Sequence, residues 1–206
     1  MPLPFRKLLL VSAIAASLSA CGFTEDIDKD DDDKPPQAGE TGDVFVLTVS
    51  NKLLSFDRAT PATIRTTATV TGLQAGENLV GIDYRPADGQ LYGVGSTGRI
   101  YTLNGATGAA TLKSTLSADS ADTSAPFTAL AGTEFGVDFN PAADRLRIVG
   151  NTGQNLRVNV DTGATTTDGS VNGGAANTAV NAAAYTNSFA GTAGTTLFVI
   201  LSLIHI

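Results

Sequence analysis

Two aspartates occupy the same place in two copies of a repeated segment. Residues 81–87 (GIDYRPA) match residues 136–142 (GVDFNPA) at an offset of 55, which makes Asp83 and Asp138 equivalent. Each alternates with apolar neighbours, so each is expected on the more polar face of its strand. Carboxylates that converge from neighbouring repeats could bind Ca²⁺ or serve as an acid and a base. The alternative, which we favour, is that each carboxylate accepts backbone N–H groups within its own repeat unit.

Three arginines mark a difference between the two copies, because Arg145, Arg147 and Arg157 in the second copy replace uncharged residues in the first. The apolar alternation pairs residue 148 with residue 156, and therefore places Arg147 directly opposite Arg157. Like charges so placed are destabilising unless a negative charge lies between them. Three aspartates could supply it internally, which we favour: Asp138, Asp144 and Asp161. The alternative is that the guanidinium groups bind a carboxylate, sulfate or phosphate of a ligand such as an acidic polysaccharide.

The chain has one cysteine, Cys21, and one histidine, His205, which is second from the end. It therefore cannot build a disulfide framework or a Cys/His zinc site from its own residues. A Ser-His-Asp or Cys-His arrangement would need the terminal histidine to fold back. We assign no catalytic residue and no metal-ligand set, and Ca²⁺ at Asp83 and Asp138 is the only cofactor that we keep open.

The repeat that contains these residues extends over most of the chain after residue 43. The offset of 55 holds without a gap as far as residues 111 and 166, a weaker third copy lies upstream at an offset of 47, and a fourth begins near residue 184. Units of about 40 to 50 residues, built from short strands and turns, are typical of β-propeller blades. The sequence predicts an all-β, β-propeller-like repeat domain over residues 43–200, with roughly three to four blades of a larger propeller.

Three segments within this domain resemble a known protein family. Residues 79–88, residues 135–163 with the motif GQNLR, and residues 183–189 (AAYTNSF) are similar to the DUF4394 family, a domain of unknown function of bacterial exported proteins. The resemblance covers residues 43–200 and implies a β-propeller-like domain. The family has no assigned activity, so the resemblance carries over no catalytic residues.

The resemblance also implies that the chain is truncated at its C-terminus, because family members continue past residue 200 with further strands. Residues 201–206 (LSLIHI) depart from the repeat and are predicted to be a non-native tail. An open stack of about three blades would leave two apolar sheet faces without partners. We therefore expect the domain to associate, or to unfold without a sharp transition.

The first twenty residues have the organisation of a secretory signal. Arg6 and Lys7 precede an uninterrupted stretch of apolar and small residues over positions 8–20, which is too short for a membrane-spanning helix of about 20 residues. Residues 18–21 (LSAC) resemble the bacterial lipobox, in which the cysteine thiol receives a diacylglyceryl group and cleavage makes that cysteine the N-terminus. We predict a signal peptide over residues 1–20 and lipidation of Cys21.

Residues 21–42 join the lipidated cysteine to the repeat domain. This segment is rich in Asp and nearly free of apolar residues, so it is predicted to be an extended, disordered tether. Gly22 after the cysteine predicts sorting to the outer membrane.

The formal net charge of the chain is −7, which argues against nucleic acid as a partner.

Two functions are compatible with these features. The first is a lipid-anchored, non-catalytic binding domain at the bacterial cell envelope, with an anionic polysaccharide or an envelope protein as its partner. The second is a metal-assisted propeller hydrolase or lyase that acts on sugars or esters through axial carboxylates. We favour the first because no base is placed near any candidate nucleophile. Convergence of Asp83 and Asp138 with other carboxylates would favour the second.

Overall fold

The computed structural model describes residues 40–169 and 178–203. The predicted signal peptide, Cys21 and almost all of the tether lie outside these residues, as does His205. All secondary-structure elements in these residues are β-strands, which confirms the all-β prediction for the described part of the chain. No helix long and apolar enough to cross a membrane occurs among them.

The strands of the described residues form four sheets that follow one another along the chain. Sheet 1 contains β1 (Val44–Leu47), β2 (Lys52–Phe56) and β3 (Ile64–Thr69). Sheet 2 contains β4 (Leu79–Tyr84), β5 (Leu91–Gly95), β6 (Arg99–Leu103) and β7 (Ala110–Thr115). Sheet 3 contains β8 (Ser117–Ala118), β9 (Phe135–Asn140), β10 (Arg145–Gly150), β11 (Asn155–Val158) and β12 (Ala164–Thr167). Sheet 4 contains β13 (Thr178–Tyr185) and β14 (Leu197–Leu203).

Consecutive strands within each sheet pair antiparallel, and none of the four sheets closes into a barrel. The exception to this order is β8, which pairs in parallel with the outer edge of β12. In sheet 4, β14 continues to Leu203 and pairs with β13 along its length. Sheet 4 therefore includes the first three residues of the predicted tail.

The sequence repeat is reproduced in the pairing register of the strands. The equivalent pairs are Leu91 with Leu103 in sheet 2, Leu146 with Val158 in sheet 3, and Val44 with Phe56 in sheet 1. These pairs are separated by the offsets of 55 and 47 that the sequence shows. It follows that β1, β2 and β3 correspond to β5, β6 and β7, and that sheet 1 has no counterpart of β4 among the described residues.

Two clusters of buried side chains hold sheets 1, 2 and 3 face to face. Between sheets 1 and 2, Leu53 of β2 packs with Leu91 and Tyr101 of sheet 2. Between sheets 2 and 3, the rings of Tyr92 and Phe139 meet edge to face, with centroids 5.3 Å apart. Such a pair contributes about 0.5–1.5 kcal/mol beyond its buried area. Sheets 1 and 2 are thus each covered by the next sheet along the chain.

We call β4, β9 and β13 the first strands of sheets 2, 3 and 4, because β8 lies outside the repeat. They lie side by side, with β4 next to β9 and β9 next to β13. On sheet 4, by contrast, Phe198 and Ile200 are 62% and 65% exposed. Contiguous apolar side chains of this kind favour association. We expected the domain to associate because its stack of sheets is open, and this association stays a prediction.

Candidate functional site

The predicted register of β10 and β11 is confirmed. Ile148 pairs with Leu156, and Arg147 pairs with Arg157. Ile148 and Leu156 are fully buried on one face of sheet 3, so both arginines lie on the other face. Because side chains alternate along a strand, Arg145 lies on that same face, which we call the arginine face.

The negative charge between these arginines comes from Asp168, the residue that follows β12. Arg147 Nη1 donates to Asp168 Oδ2 at 2.6 Å, and Arg157 Nη2 donates to Asp168 Oδ1 at 3.0 Å. The counterion is internal, as in the alternative that we favoured, but it is not one of the three aspartates that we predicted. The three aspartates that we considered have other partners: Asp144 and Asp161 bind Arg85, and Asp138 accepts the amide of Tyr185.

Arg147 is enclosed by further hydrogen bonds. It donates to the Tyr185 hydroxyl at 3.1 Å through Nε and to Asn155 Oδ1 at 2.7 Å through Nη1. Its side chain is only 13% exposed, whereas that of Arg157 is 46% exposed. Arg147 therefore braces sheet 3 against β13, and the arginines that remain accessible to a ligand are Arg157 and Arg145.

Arg145 has only uncharged partners among the described residues. Its Nη1 donates to the carbonyl oxygens of Asp144 at 2.8 Å and of Ala143 at 3.4 Å. A guanidinium group carries five N–H donors in a planar fork. Arg145 therefore has donors left for a carboxylate or sulfate from outside the chain.

A pocket of about 600 Å³ opens over the arginine face. Arg145 and Arg157 line it together with Asp119 and Asp122, and its other polar side chains are Ser124, Asn159, Thr166 and Thr167. Backbone hydrogen bonds from Thr167 and Ala125 hold the pKa of Asp122 below its usual value. The pocket thus offers one cation without a carboxylate partner next to groups that can accept hydrogen bonds from hydroxyls.

The pocket forms where sheet 3 departs from the repeat. Sheets 2 and 3 are joined by residues 116–134, about twice the length of the connection over residues 70–78 between sheets 1 and 2. The long connection adds β8 to sheet 3 and carries Asp119 and Asp122 to the pocket. Arg145 and Arg157 are themselves additions relative to sheet 2. Side chains that the repeat does not require therefore converge on one cavity.

Asp83 and Asp138 tie the first strands of successive sheets together. The Phe139 amide donates to Asp83 Oδ2 at 2.7 Å, and the Tyr185 amide donates to Asp138 Oδ2 at 2.7 Å. Both carboxylates accept backbone N–H groups, as we expected. Asp83 also accepts one within its own repeat, from Tyr84, but the Phe139 and Tyr185 amides belong to the following repeat, outside the location that we expected. The reason is that β4 and β9 are edge strands, whose outward side faces the first strand of the next sheet.

The two carboxyl groups also affect each other. Burial, reinforced by the negative charge of Asp138, raises the pKa of Asp83 to about 7, and burial raises the pKa of Asp138 to about 6. Among the described residues, no group of three or more His, Cys, Asp or Glu side chains is arranged so that it could hold a metal ion. A Ca²⁺ ion, which takes six to eight oxygen ligands, would therefore need most of its ligands from elsewhere.

Neutralising Asp83 should flatten the pH dependence of stability. A carboxyl group whose pKa is raised by folding binds more protons in the folded state, so its protonation stabilises the fold at low pH and this stabilisation is lost as the pH rises from about 4 to about 7. Within this range, we expect the melting temperature of the chain to fall between about pH 5 and about pH 7. In Asp83→Asn this fall should be smaller, because the amide can still donate to Asp138 and accept from the Phe139 amide.

The matched control for this experiment is Asp43→Asn. Asp43 is an exposed carboxyl whose pKa is lowered by hydrogen bonds from Arg58, so it stays ionised over the same pH range. Its variant should keep the slope of the parent chain. A slope in Asp83→Asn as steep as in Asp43→Asn would show that the aspartate pair is not the titrating group.

The sequence analysis missed a cluster of charges around Arg85. Arg85 is 9% exposed, and its guanidinium group binds the carboxylates of Asp144 in sheet 3, Asp161 in the turn before β12, and Asp88 in its own sheet. A comparison of the two repeat copies could have revealed it, because the other arginines were found as residues that differ between the copies. Arg85 occupies the place at which the second copy has Asn140, so it also departs from the repeat.

Comparison with known proteins identifies one family. A family model described as "Domain of unknown function (DUF4394)" matches residues 52–203. No curated protein and no solved structure matches the chain. The match covers well over half of the chain and confirms the family resemblance predicted from its sequence.

Proposed function

The chain belongs to the DUF4394 family, whose name assigns no activity, and on the basis of its own site we propose that it is a lipid-anchored binding protein of the bacterial cell envelope. Its β-propeller-like domain binds an anionic polysaccharide and catalyses no reaction. The observation that carries this proposal is the pocket on the arginine face, where residues outside the repeat converge around Arg145.

The arrangement of the sheets supports a propeller-like domain. Four sheets, antiparallel except for the pair of β8 and β12, follow one another along the described residues, and the first strands of sheets 2, 3 and 4 are neighbours. Face-to-face packing between successive sheets around adjacent first strands is the pattern of propeller blades. Propeller-type repeats commonly carry their binding residues in the segments that vary between repeats, as the connection before sheet 3 does here.

The chemistry of the pocket suits a sugar acid or a sulfated sugar. Arg145 can bind a carboxylate or sulfate through two parallel N–H donors. Asp119, Asn159 and neighbouring side chains can accept hydrogen bonds from sugar hydroxyls. A shallow surface pocket that combines one cation with many hydrogen-bonding groups favours a hydroxyl-rich anion over an apolar ligand.

The same pocket gives little support to catalysis. Ser124 Oγ donates to Asp122 and Thr166 Oγ1 donates to Asp119, each at 3.2 Å. A carboxylate is a weak base for a hydroxyl nucleophile, and the lowered pKa of Asp122 makes it weaker still. These hydroxyl groups are therefore assigned to ligand binding or to the structure of the pocket.

Arg145→Gln should weaken glycan binding without loss of fold. We expect the parent chain to bind uronic or sulfated glycans on an array, and Arg145→Gln to bind them about 10-fold to 100-fold more weakly, because a charged hydrogen bond is worth about 1.5–3 kcal/mol. Added salt should weaken binding of the parent in the same direction. The control is Arg58→Gln on sheet 1, which removes an exposed arginine far along the chain from the pocket.

Two outcomes would count against the proposal. One is that the parent chain binds no anionic glycan. The other is that Arg145→Gln and Arg58→Gln bind equally well, which would show that any binding is due to general charge. In the second case the arginine face would have only a structural role.

Membrane attachment is tested separately through Cys21. In a bacterial host that processes lipoproteins, the parent chain should incorporate radiolabelled palmitate and fractionate with membranes. Cys21→Ala should incorporate none, since the cysteine thiol is the proposed acceptor and two or more acyl chains are needed for stable anchoring. Equal labelling of the variant would show that Cys21 is not the lipidation site.

A hydrolase or lyase is the second candidate function, and one observation favours it. Asp83 and Asp138 are adjacent carboxyl groups with pKa values raised toward neutral, as in acid and base pairs of enzymes. Each already accepts a backbone amide, which gives both a structural role. Release of reducing sugar ends from an added glycan, and its loss in Asp138→Asn, would favour the enzyme.

A further inference from the structure

Charges of both signs line the pocket on the arginine face, and they lie at opposite ends of it. Arg145 is on β10, whereas Asp119 directly follows β8 and Asp122 lies in the same connection. Two strands, β12 and β11, separate β8 from β10 in sheet 3, which corresponds to about 14 Å at the usual spacing between strands. The pocket therefore has a positive end at Arg145 and a negative end at Asp119 and Asp122.

The charges at both ends are without ion-pair partners among the described residues. Arg157 lies between the two ends on β11, but it already donates to Asp168 Oδ1 at 3.0 Å. Arg145 donates only to backbone carbonyl groups. Asp119 and Asp122 accept only backbone amides and hydroxyl groups. A ligand in the pocket thus meets one free cation at one end and two free carboxylates at the other.

The carboxylates at the negative end are held in place by the backbone. Asp119 Oδ1 accepts the Ala121 amide at 3.0 Å, and Asp122 Oδ2 accepts the Thr167 amide at 2.9 Å. The bond from Thr167, followed by that from Ala125, keeps the pKa of Asp122 below its usual value, so this group is charged at neutral pH. Neither carboxylate can turn away without losing its backbone bonds, so a negative charge brought to this end is repelled.

The same carboxylates can accept hydrogen bonds from an uncharged sugar. A carboxylate has about four acceptor sites. Asp119 uses two of them, for the Ala121 amide and the Thr166 hydroxyl, and Asp122 uses three. Each therefore keeps an acceptor site for a sugar hydroxyl. The negative end thus attracts hydroxyl groups and rejects anions, and a repulsive element of this kind creates specificity.

The pocket is large enough for more than one sugar. Its volume of about 600 Å³ lies within the range of pockets that enclose drug-sized ligands. We infer that it selects a disaccharide unit with an acidic sugar at Arg145 and, at Asp119 and Asp122, a sugar without negative charge. This selection rests on the proposed glycan binding and narrows the ligand to polysaccharides in which acidic and uncharged sugars alternate.

Two oligosaccharides with the same backbone test this selection. Unsulfated chondroitin alternates a uronic acid with an uncharged N-acetylhexosamine, and chondroitin sulfate adds a sulfate to the second sugar. Fluorescently labelled hexasaccharides of both are titrated with the full chain in detergent. The unsulfated one should bind about 10-fold more tightly, because the added sulfate meets Asp119 and Asp122.

Asp119→Asn should remove this preference. The side-chain amide keeps an acceptor for the Ala121 amide but loses the negative charge, so the sulfated hexasaccharide should bind about 10-fold more tightly than it binds the parent. Asp122→Asn should shift the preference in the same direction, which tests the negative end even if Asp119→Asn does not fold. The matched control is Asp43→Asn on sheet 1, which removes an equal charge outside the pocket and should keep the preference of the parent.

Four outcomes would overturn the inference. These are equal binding of the two hexasaccharides to the parent, tighter binding of the sulfated one, binding of neither, and loss of the preference in Asp43→Asn. In each case the proposed function would still stand if other anionic glycans bound the chain and Arg145→Gln weakened that binding. Only the absence of binding to every anionic glycan would contradict both.

Discussion

Replacing Arg85 with methionine should lower the free energy of unfolding by about 2–4 kcal/mol, because it removes a buried cation and leaves its partly exposed carboxylate partners to repel one another. Arg85 Nη2 lies 2.6 Å from Asp144 Oδ2 and 2.9 Å from Asp161 Oδ2, and the arginine side chain is only 10% exposed. These bonds join sheet 2 to two turns of sheet 3. The loss should appear in urea unfolding as a lower midpoint with an unchanged slope.

The expected loss lies below the upper limit for a fully buried ion pair because the partners are half exposed. The side chains of Asp144 and Asp161 are 38% and 47% exposed, so water compensates part of their charge. Arg85, followed by Lys113, lowers the pKa of Asp161 to about 2. Asp161 therefore stabilises the fold above about pH 4, and this stabilisation is lost as the pH falls toward about 2.

Arg58→Met is the control for the Arg85 experiment. Arg58 pairs with Asp43 on the surface of sheet 1, and its side chain is 80% exposed. Exposed ion pairs of this kind contribute about 0–1 kcal/mol. If Arg85→Met unfolds at the same urea concentration as Arg58→Met, the cluster around Arg85 does not hold sheets 2 and 3 together.

Gly163→Ala should be at least as damaging, with an expected loss of about 3–5 kcal/mol from backbone strain and collision together. Gly163 lies in the turn before β12 with φ of 81°, in the left-handed region that favours glycine. A Cβ atom there would also collide with the carbonyl oxygen of Thr115 at the end of β7. Neither partner in this contact is a side chain that could rotate away.

Gly153→Ala separates the two contributions. Gly153 has φ of 88° in the turn between β10 and β11, and no atom lies within 4 Å of its Cβ position. Its variant should lose only the strain contribution of about 1–2 kcal/mol. Equal losses in the two variants, measured by urea unfolding, would show that the contact between Gly163 and β7 does not restrict the packing of sheet 3 on sheet 2.

The sequence by itself determined the pairing register of β10 with β11. Side chains alternate with a period of two along a strand, so a one-residue slip would expose every apolar side chain of β10 and β11. This constraint is local, and it was enough to place Arg147 opposite Arg157. The offset of 55 likewise identified the equivalent strands of sheets 2 and 3, because equivalent positions need the same residue types.

Only the tertiary structure decided which side chains meet when they are far apart in the sequence, both within sheet 3 and between sheets. Asp168 neutralises the paired arginines because the pairing of β12 with β11 brings it next to Arg147 and Arg157, and the spacing of these residues along the chain does not reveal that contact. Asp83 reaches the Phe139 amide because β4 lies beside β9. The pocket forms because the connection before sheet 3 folds along β12. These contacts depend on the path of the connections and on how one sheet packs against the next. Side-chain alternation along a strand contains no information about either, because it fixes only the face on which each side chain lies.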